Sequence, residues 1–166
     1  MTATNSAPSA LRNIGIHVAL LGLSMGIMIP TQPQLVKEII GDLSSSSMHF
    51  GVITAAASFV QFLSQPFIGA LSDSLRTRRK ILLVQSTGLM VVFVLLALIS
   101  KYKYTLKWFI FAKFLQALVG NCYNTAFAFV SDITSGEERS KAYGRLGMSF
   151  GLGFVVGPIL AGILSS

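Results

Sequence analysis

Charged side chains are scarce in this chain. Only 11% of its 166 residues are Asp, Glu, Lys or Arg, whereas 52% are hydrophobic. Soluble domains carry about 25% charged residues, because a surface that faces water needs them. A chain so poor in charge lacks the polar surface to coat a soluble globule. Its composition is instead typical of a protein whose solvent is lipid.

Residues for metal binding and covalent chemistry are also scarce. Cys122 is the single cysteine and lies inside an apolar run, which excludes a disulfide framework within the chain and a cysteine-based metal site. The sequence contains no His/Glu metal pair, no nucleophile–base arrangement and no phosphate-binding glycine loop. We therefore expect neither an enzyme nor a bound metal or cofactor.

Long apolar runs are what the chain does contain. Five of them, at 14–30, 50–71, 81–99, 108–131 and 146–164, are long enough to cross a hydrocarbon core about 30 Å thick. Only helices and closed barrels satisfy their backbone polar groups in lipid, and these runs are too long for barrel strands. The sequence thus predicts an all-α membrane protein with five transmembrane helices.

The N-terminus and the loops predict the topology. Residues 1–13 are small and polar, and we expect a disordered cytoplasmic tail there. No A-x-A-like site follows the first run, which favours a span over a cleaved signal peptide. With the N-terminus inside, the inner segments hold eight Lys and Arg and the outer loops four, as the positive-inside rule requires. The excess of basic residues then reflects insertion in a plasma or organelle membrane rather than binding to a nucleic acid. In this topology, we expect an outer aromatic anchor formed by Tyr102, Tyr104 and Trp108.

Polar stripes run along three of the predicted helices. At 100° per residue, one stripe comprises Thr54, Ser58, Gln61 and Gln65, another comprises Lys113, Gln116, Gly120 and Asn124, and His17 shares a face with Ser24. A single polar side chain of this kind is also explained by a hydrogen bond between helices, which is worth about 0.6 kcal/mol. Together they predict a shared water-accessible cavity, whose substrate or coupling pathway would include Lys113, Gln116, Asn124, Gln61 and Ser24.

Lys113 is the acid or strong base that lies deepest inside a predicted span. A lysine at the centre of a membrane helix costs about 2.5–3.5 kcal/mol on insertion scales, and such residues usually serve function. The alternative is snorkelling: Lys113 lies five residues past Trp108, about 7.5 Å along the helix. Its stem could therefore carry the ammonium back to the outer interface.

Small residues dominate the fifth span. Gly153, Gly157 and Ala161 recur every fourth residue, which predicts a smooth face where another helix backbone approaches closely. Pro158 removes a backbone donor and should bend the helix. We expect Gly153, Gly157 and Pro158 to form a packing or pivot point.

Three segments resemble one known family in the same order and spacing. Segment 69–80, GALSDSLRTRRK, is similar to the loop G-x-L-x-D-R-x-G-R-R, although Ser74, Arg76 and Thr77 replace a base, a glycine and a base. Segment 113–120, KFLQALVG, resembles R-x-x-Q-G-x-x-x, and segment 153–162, GFVVGPILAG, resembles G-x-x-x-G-P-x-x-G-G. These segments resemble the major facilitator superfamily, in particular its drug:proton antiporter branch.

The resemblance implies a fold and an activity. The chain would be the N-terminal portion of a twelve-helix carrier, holding five helices of its first six-helix half. Gly69, Asp73, Arg78 and Arg79 would form a loop that latches the two halves in one conformation, and Lys113 would replace a base associated with proton coupling. Such a carrier moves a small organic solute by alternating access, in some cases by proton antiport.

The resemblance also implies that this chain alone is inactive, and it leaves one alternative function open. The missing C-terminal half would be this chain's partner, and five spans alone would not transport. The alternative is a non-transporting membrane scaffold, or a truncated regulatory partner of a full-length transporter.

Overall fold

The computed structural model describes residues 7–74, 78–102 and 105–165. All regular structure in these ranges is helical, which confirms the all-α prediction. Its helices are α1 (Ala7–Ile40), α2 (Leu43–Ser74), α3 (Arg78–Tyr102), α4 (Leu106–Val119), α5 (Cys122–Ile133) and α6 (Gly136–Ser165). Helices α1, α2, α3 and α6 are each long and apolar enough to cross a membrane.

The helices extend past the predicted spans at both ends. Residues 7–13 form the first turns of α1, which corrects the expectation of a disordered tail there; residues 1–6 lie outside the described ranges. Alanine, leucine and arginine are strong helix formers, and Pro8 falls in the first turn, where its missing N–H costs nothing. At the other end, α1 continues through Pro30 and Pro33 to Ile40 instead of ending at Pro30.

A short turn separates α1 from α2. Gly41 has a φ of 85°, and its N–H donates to the Lys37 carbonyl at 2.8 Å, which closes the end of α1 in the way that a glycine permits. The carboxylate of Asp42 then accepts a 2.7 Å hydrogen bond from the Ser45 N–H. An aspartate that satisfies an N–H of the first turn is a favourable helix cap, so α2 begins at Leu43.

The fourth predicted span is not one helix. Helix α4 has 14 residues and α5 has 12, so each is only about 20 Å long. Gly120 has a φ of 82° and closes α4 with a 3.3 Å bond from its N–H to the Gln116 carbonyl. The prediction of a continuous helix over 108–131 was wrong, because a glycine in the left-handed region ends the helix where the apolar pattern continues.

The described residues form two compact units. One contains Gln32–Cys122; the other contains the chain up to Thr31 together with the residues from Tyr123 onward. Within the first unit, α4 packs against both α2 and α3, and Phe109 of α4 is completely buried. Gly88 of α3 permits this packing, because a Cβ there would lie 2.7 Å from Val119 Cγ2.

Aromatic contacts and glycines hold the second unit together. Tyr123 of α5 lies 4.7 Å from Phe150 of α6 between ring centroids, and Phe127 lies 5.0 Å from Tyr143. Across the described residues, large apolar side chains face outward, with Phe67 76% exposed and Phe62 72% exposed. A surface of this kind is expected where the surroundings are lipid or other apolar helices.

Candidate functional site

Lys113 makes a specific contact with α1. Its Nζ donates a 3.0 Å hydrogen bond to Oε1 of Gln32, and Gln32 is only 7% exposed. Gln32 lies eight residues before the end of α1, and Lys113 lies seven residues after the start of α4. Both residues are therefore about 10–12 Å from these ends of their helices. The ammonium is hydrogen-bonded to a side chain of a neighbouring helix.

The acceptor in this pair, the amide oxygen of Gln32, determines what the contact can do chemically. An amide oxygen can orient an ammonium and share its proton, but it carries no charge to neutralise it. The contact with Gln32 thus gives the Lys113 ammonium a hydrogen bond but no opposite charge. Such a group can exchange a proton or attract an anionic group when the site opens.

The stripe predicted over Lys113, Gln116, Gly120 and Asn124 is interrupted at Gly120. Gln116 lies one turn beyond Lys113 in α4 and is half-buried, and Gln61 is half-buried in α2. Asn124 is exposed on α5, beyond the break at Gly120, and it belongs to the other compact unit with Ser24. Ser24 donates to the Leu20 carbonyl of its own helix at 2.8 Å. The rotation of 100° per residue applies only within an unbroken helix. It therefore cannot assign Asn124, beyond Gly120, to the face that carries Lys113 and Gln116.

A polar cluster at the break in the fourth span was missed by the sequence analysis. Gln85 of α3 donates through Nε2 to the Val119 carbonyl at 3.2 Å, which satisfies an acceptor at the end of α4. A Cβ on Gly120 would lie 2.8 Å from Gln65 Nε2 and 3.2 Å from Gln85 Nε2. The sequence did contain a signal for this cluster. Gln85 lies near the start of an otherwise apolar helix, and Gly120 lies inside the following predicted span.

The connection between α2 and α3 carries an ion pair. Arg78 Nη2 lies 2.6 Å from Asp73 Oδ1, so the pair joins the end of α2 to the start of α3. An acid at a helix C-terminus opposes the helix dipole, and the guanidinium offsets that cost. Arg79 is exposed beside it. The loop residues 75–77, including Arg76 and Thr77, lie outside the described ranges.

Gly69, near the end of α2, has open space beside it. Nothing in the described part of the chain lies within 4 Å of a Cβ built on it. Within these ranges Gly69 therefore makes no close contact with another helix.

Glycines bring α1 and α6 into direct backbone contact. A Cβ on Gly157 would lie 2.6 Å from the Gly26 Cα, and one on Gly153 would overlap the Ala19 carbonyl oxygen. Gly22 of α1 faces the Phe150 carbonyl in the same way. The face of small residues predicted on the fifth span thus meets a second such face, made by Gly22 and Gly26.

Pro158 takes part in this contact. It lacks an N–H, so the Phe154 carbonyl four residues earlier has no helical donor. A Cβ on Gly26 would lie 2.6 Å from that carbonyl oxygen and 3.0 Å from Pro158 Cδ. Helix α6 nevertheless continues through Pro158, with the backbone of Gly26 covering the acceptor that the proline leaves open.

Arg139 joins α5 to α6 at the turn between them. Its Nη2 donates at 3.0 Å to the carbonyls of both Ser131 and Thr134, and its Nε donates to Thr134 at 3.2 Å. These carbonyls belong to the end of α5, where helical partners run out. Arg139 thus caps α5 from within α6.

Comparisons with known proteins give a family match and several similar proteins. The family model of the Major Facilitator Superfamily matches residues 14–166. The chain is 32% identical over 150 residues to the tetracycline resistance protein, class C, of Escherichia coli. It is 34% identical over 151 residues to multidrug resistance protein 2 of Bacillus subtilis, and 31% identical over 121 residues to major facilitator superfamily domain-containing protein 10 of Mus musculus.

These matches cover most of this chain but only part of each relative. They cover 90%, 90% and 73% of this chain, but only 36%, 35% and 25% of the respective relatives. The chain therefore spans about a third or less of the length of each of these curated relatives. No solved structure matches the chain.

Proposed function

The chain belongs to the Major Facilitator Superfamily, and we propose on that basis that it forms the N-terminal portion of a carrier for a small organic solute. The carrier works by alternating access, exchanging the solute for protons. Relatives named for resistance to tetracycline and to multiple drugs support a solute of that size. With its N-terminus in the cytoplasm, the chain supplies one wall of the pathway.

The observation that carries this proposal is the contact between Lys113 and Gln32. A charged side chain inside a membrane helix is costly, and such residues mark ion and substrate pathways. The 3.0 Å bond to a buried neutral amide holds the ammonium in position without cancelling its charge. Lys113 is thus the coupling residue, and Gln32 orients it.

The remaining predicted residues take supporting roles. Gln116, Gln61, Ser24 and Asn124 contribute polar groups to the solute pathway. Gly69, Asp73, Arg78 and Arg79 form the inner latch, in which the Asp73–Arg78 pair holds α2 and α3 together. Gly153, Gly157 and Pro158 form the point about which α6 moves against α1.

Transport by the carrier that contains this sequence tests the proposal. Membrane vesicles with an imposed pH gradient are assayed for saturable uptake of tetracycline, the compound in the names of several relatives. Lys113→Ala should abolish gradient-driven uptake while leaving the amount of protein in the membrane unchanged. Lys107→Ala, which removes an exposed base one residue after the start of α4, should transport normally. Unchanged uptake by Lys113→Ala would refute the role of Lys113.

Two further measurements separate the carrier from its rival. Reconstituted alone in liposomes, this chain should show no saturable, gradient-driven uptake, since it spans about a third of its relatives' length. If the longer carrier also transports nothing, and the chain instead co-purifies with a different full-length transporter, the proposal gives way to a regulatory scaffold.

A further inference from the structure

The break in the fourth span lies between α2 and α3 and is the least expected feature of the Gln32–Cys122 unit. Helix α4 ends at Val119 and α5 begins at Cys122, so helical hydrogen bonding stops in the middle of an apolar run. Irregular backbone inside a membrane persists only where neighbouring helices or ordered water satisfy its polar groups. Gln85 provides part of that satisfaction, through its 3.2 Å bond to the Val119 carbonyl.

Two buried amide atoms beside the break have no partner in the described residues. They are Oε1 of Gln85 and Nε2 of Gln65. Gln85 is only 4% exposed, and both glutamines approach the same glycine, Gly120. A buried polar atom without a hydrogen bond costs about 1–3 kcal/mol, so this pair calls for a third group between them.

The orientation of the Gln85 amide is determined by its neighbour. If its oxygen and nitrogen were exchanged, an oxygen would face the Val119 carbonyl, and two acceptors would repel. Gln85 Oε1 is therefore the atom left open. Gln65 presents a donor, so the open pair consists of one acceptor and one donor.

We propose that Gln65 and Gln85 hold one buried water molecule at the Gly120 break. The water donates to Gln85 Oε1 and accepts from Gln65 Nε2. Water is the smallest ligand that both donates and accepts, and buried waters typically bridge two to four polar groups. A cation is a poorer match, because the Gln65 amide presents a donor to this position.

Gly120 is essential to this site. Its φ of 82° suits glycine, and an added Cβ would also lie 2.7 Å from Ile68 Cδ1. Any side chain at this position would push into the two amides and occupy the space beside them. The glycine that breaks the helix thus also lets Gln65 and Gln85 approach the backbone closely at this point.

X-ray radiolysis of the full-length carrier in detergent tests the proposal. Brief irradiation converts bound water to hydroxyl radicals, which oxidise adjacent sulfur even when it is shielded from bulk solvent. Cys122 is the reporter: it is 3% exposed, and its thiol is hydrogen-bonded to Ser86, the residue after Gln85. Met28, 7% exposed and in the other compact unit, is the buried sulfur for comparison.

The measured quantity is the ratio of Cys122 to Met28 oxidation, because a thiol is intrinsically more reactive toward hydroxyl radicals than a thioether. Gln85→Leu and Gln65→Leu should each lower this ratio severalfold relative to the unaltered protein. Thr87→Val should not change it, because the Thr87 hydroxyl donates to the Leu83 carbonyl of its own helix. An unchanged ratio in both leucine variants, when these elute as the unaltered protein does on size exclusion, would overturn the proposal.

Discussion

The Nζ of Lys113 in α4 donates a 3.0 Å hydrogen bond to Oε1 of Gln32 in α1. This contact joins residues 81 positions apart and gives the buried ammonium a neutral acceptor. Sequence patterns drew attention to Lys113 alone, whereas the structure adds the residue that orients it. The consequences can be measured separately for stability and for transport.

Removing the acceptor should destabilise the protein more than removing both partners. Gln32→Leu leaves the Lys113 ammonium without its hydrogen bond in apolar surroundings, and we expect a loss of about 1–3 kcal/mol. In the double variant Gln32→Leu/Lys113→Met, neither polar group remains, so much of that loss should be recovered. Thermal unfolding in detergent measures both. Additive losses in the double variant would show that the two side chains act independently.

Adding one methyl group to Gly157 should disrupt the contact between α1 and α6. The new Cβ would lie 2.6 Å from the Gly26 Cα, and overpacking of this kind costs about 1–3 kcal/mol. Gly151→Ala is the matched control on the same helix, since nothing lies within 4 Å of its Cβ. We expect a lower unfolding temperature for Gly157→Ala and no decrease for Gly151→Ala. Equal values for the two would contradict the close contact.

The pivot role of Gly157 has a separate test. Gly157→Leu should reduce gradient-driven transport by the full carrier, because the larger side chain forces α1 and α6 apart. If a folded Gly157→Leu variant turns over at the normal rate, Gly157 serves packing only.

Breaking the Asp73–Arg78 pair should affect transport much more than stability. The two side chains are 63% and 24% exposed, so solvent screening limits their contribution to less than about 1 kcal/mol. Asp73→Asn should therefore leave the unfolding temperature nearly unchanged while slowing transport. Glu137→Gln, which breaks the exposed pair between Glu137 and Lys141, should do neither. Normal transport by Asp73→Asn would contradict the proposal that this loop acts as a latch.

Replacing Arg139 by lysine should loosen the end of α5. Lysine keeps the charge but lacks the fork that reaches the Ser131 and Thr134 carbonyls together, and we expect a loss of about 1 kcal/mol. Arg145→Lys, at an exposed position of α6, should have no measurable effect. The amide-exchange rate around Thr134 offers a local readout, and it should rise only in Arg139→Lys.

The family and the fold class were accessible from the sequence because both depend on local patterns. Apolar runs of sufficient length predict membrane helices wherever they occur, and the motifs of segments 69–80, 113–120 and 153–162 lie within short stretches of chain. The helix ends were less predictable. Residues 7–13 are helical although they are not an apolar run, because alanine, leucine and arginine favour a helix and Pro8 is accepted in its first turn. At the other end, α1 continues past the apolar run until Gly41 ends it.

The partners of the site residues could not be predicted in the same way. Helical periodicity assigns a residue to a face but does not say which helix lies opposite, so Gln32 and Gln85 were not connected with α4. Periodicity also assumes an unbroken helix, and the left-handed Gly120 invalidated the stripe that was drawn on to Asn124. The sequence by itself determined a lipid-embedded helical protein of a known family, since hydrophobic length and motif spacing are properties of a single segment. Only the tertiary structure decided that Lys113 bonds to Gln32 and that Gly157 touches Gly26, because those contacts depend on how distant helices pack.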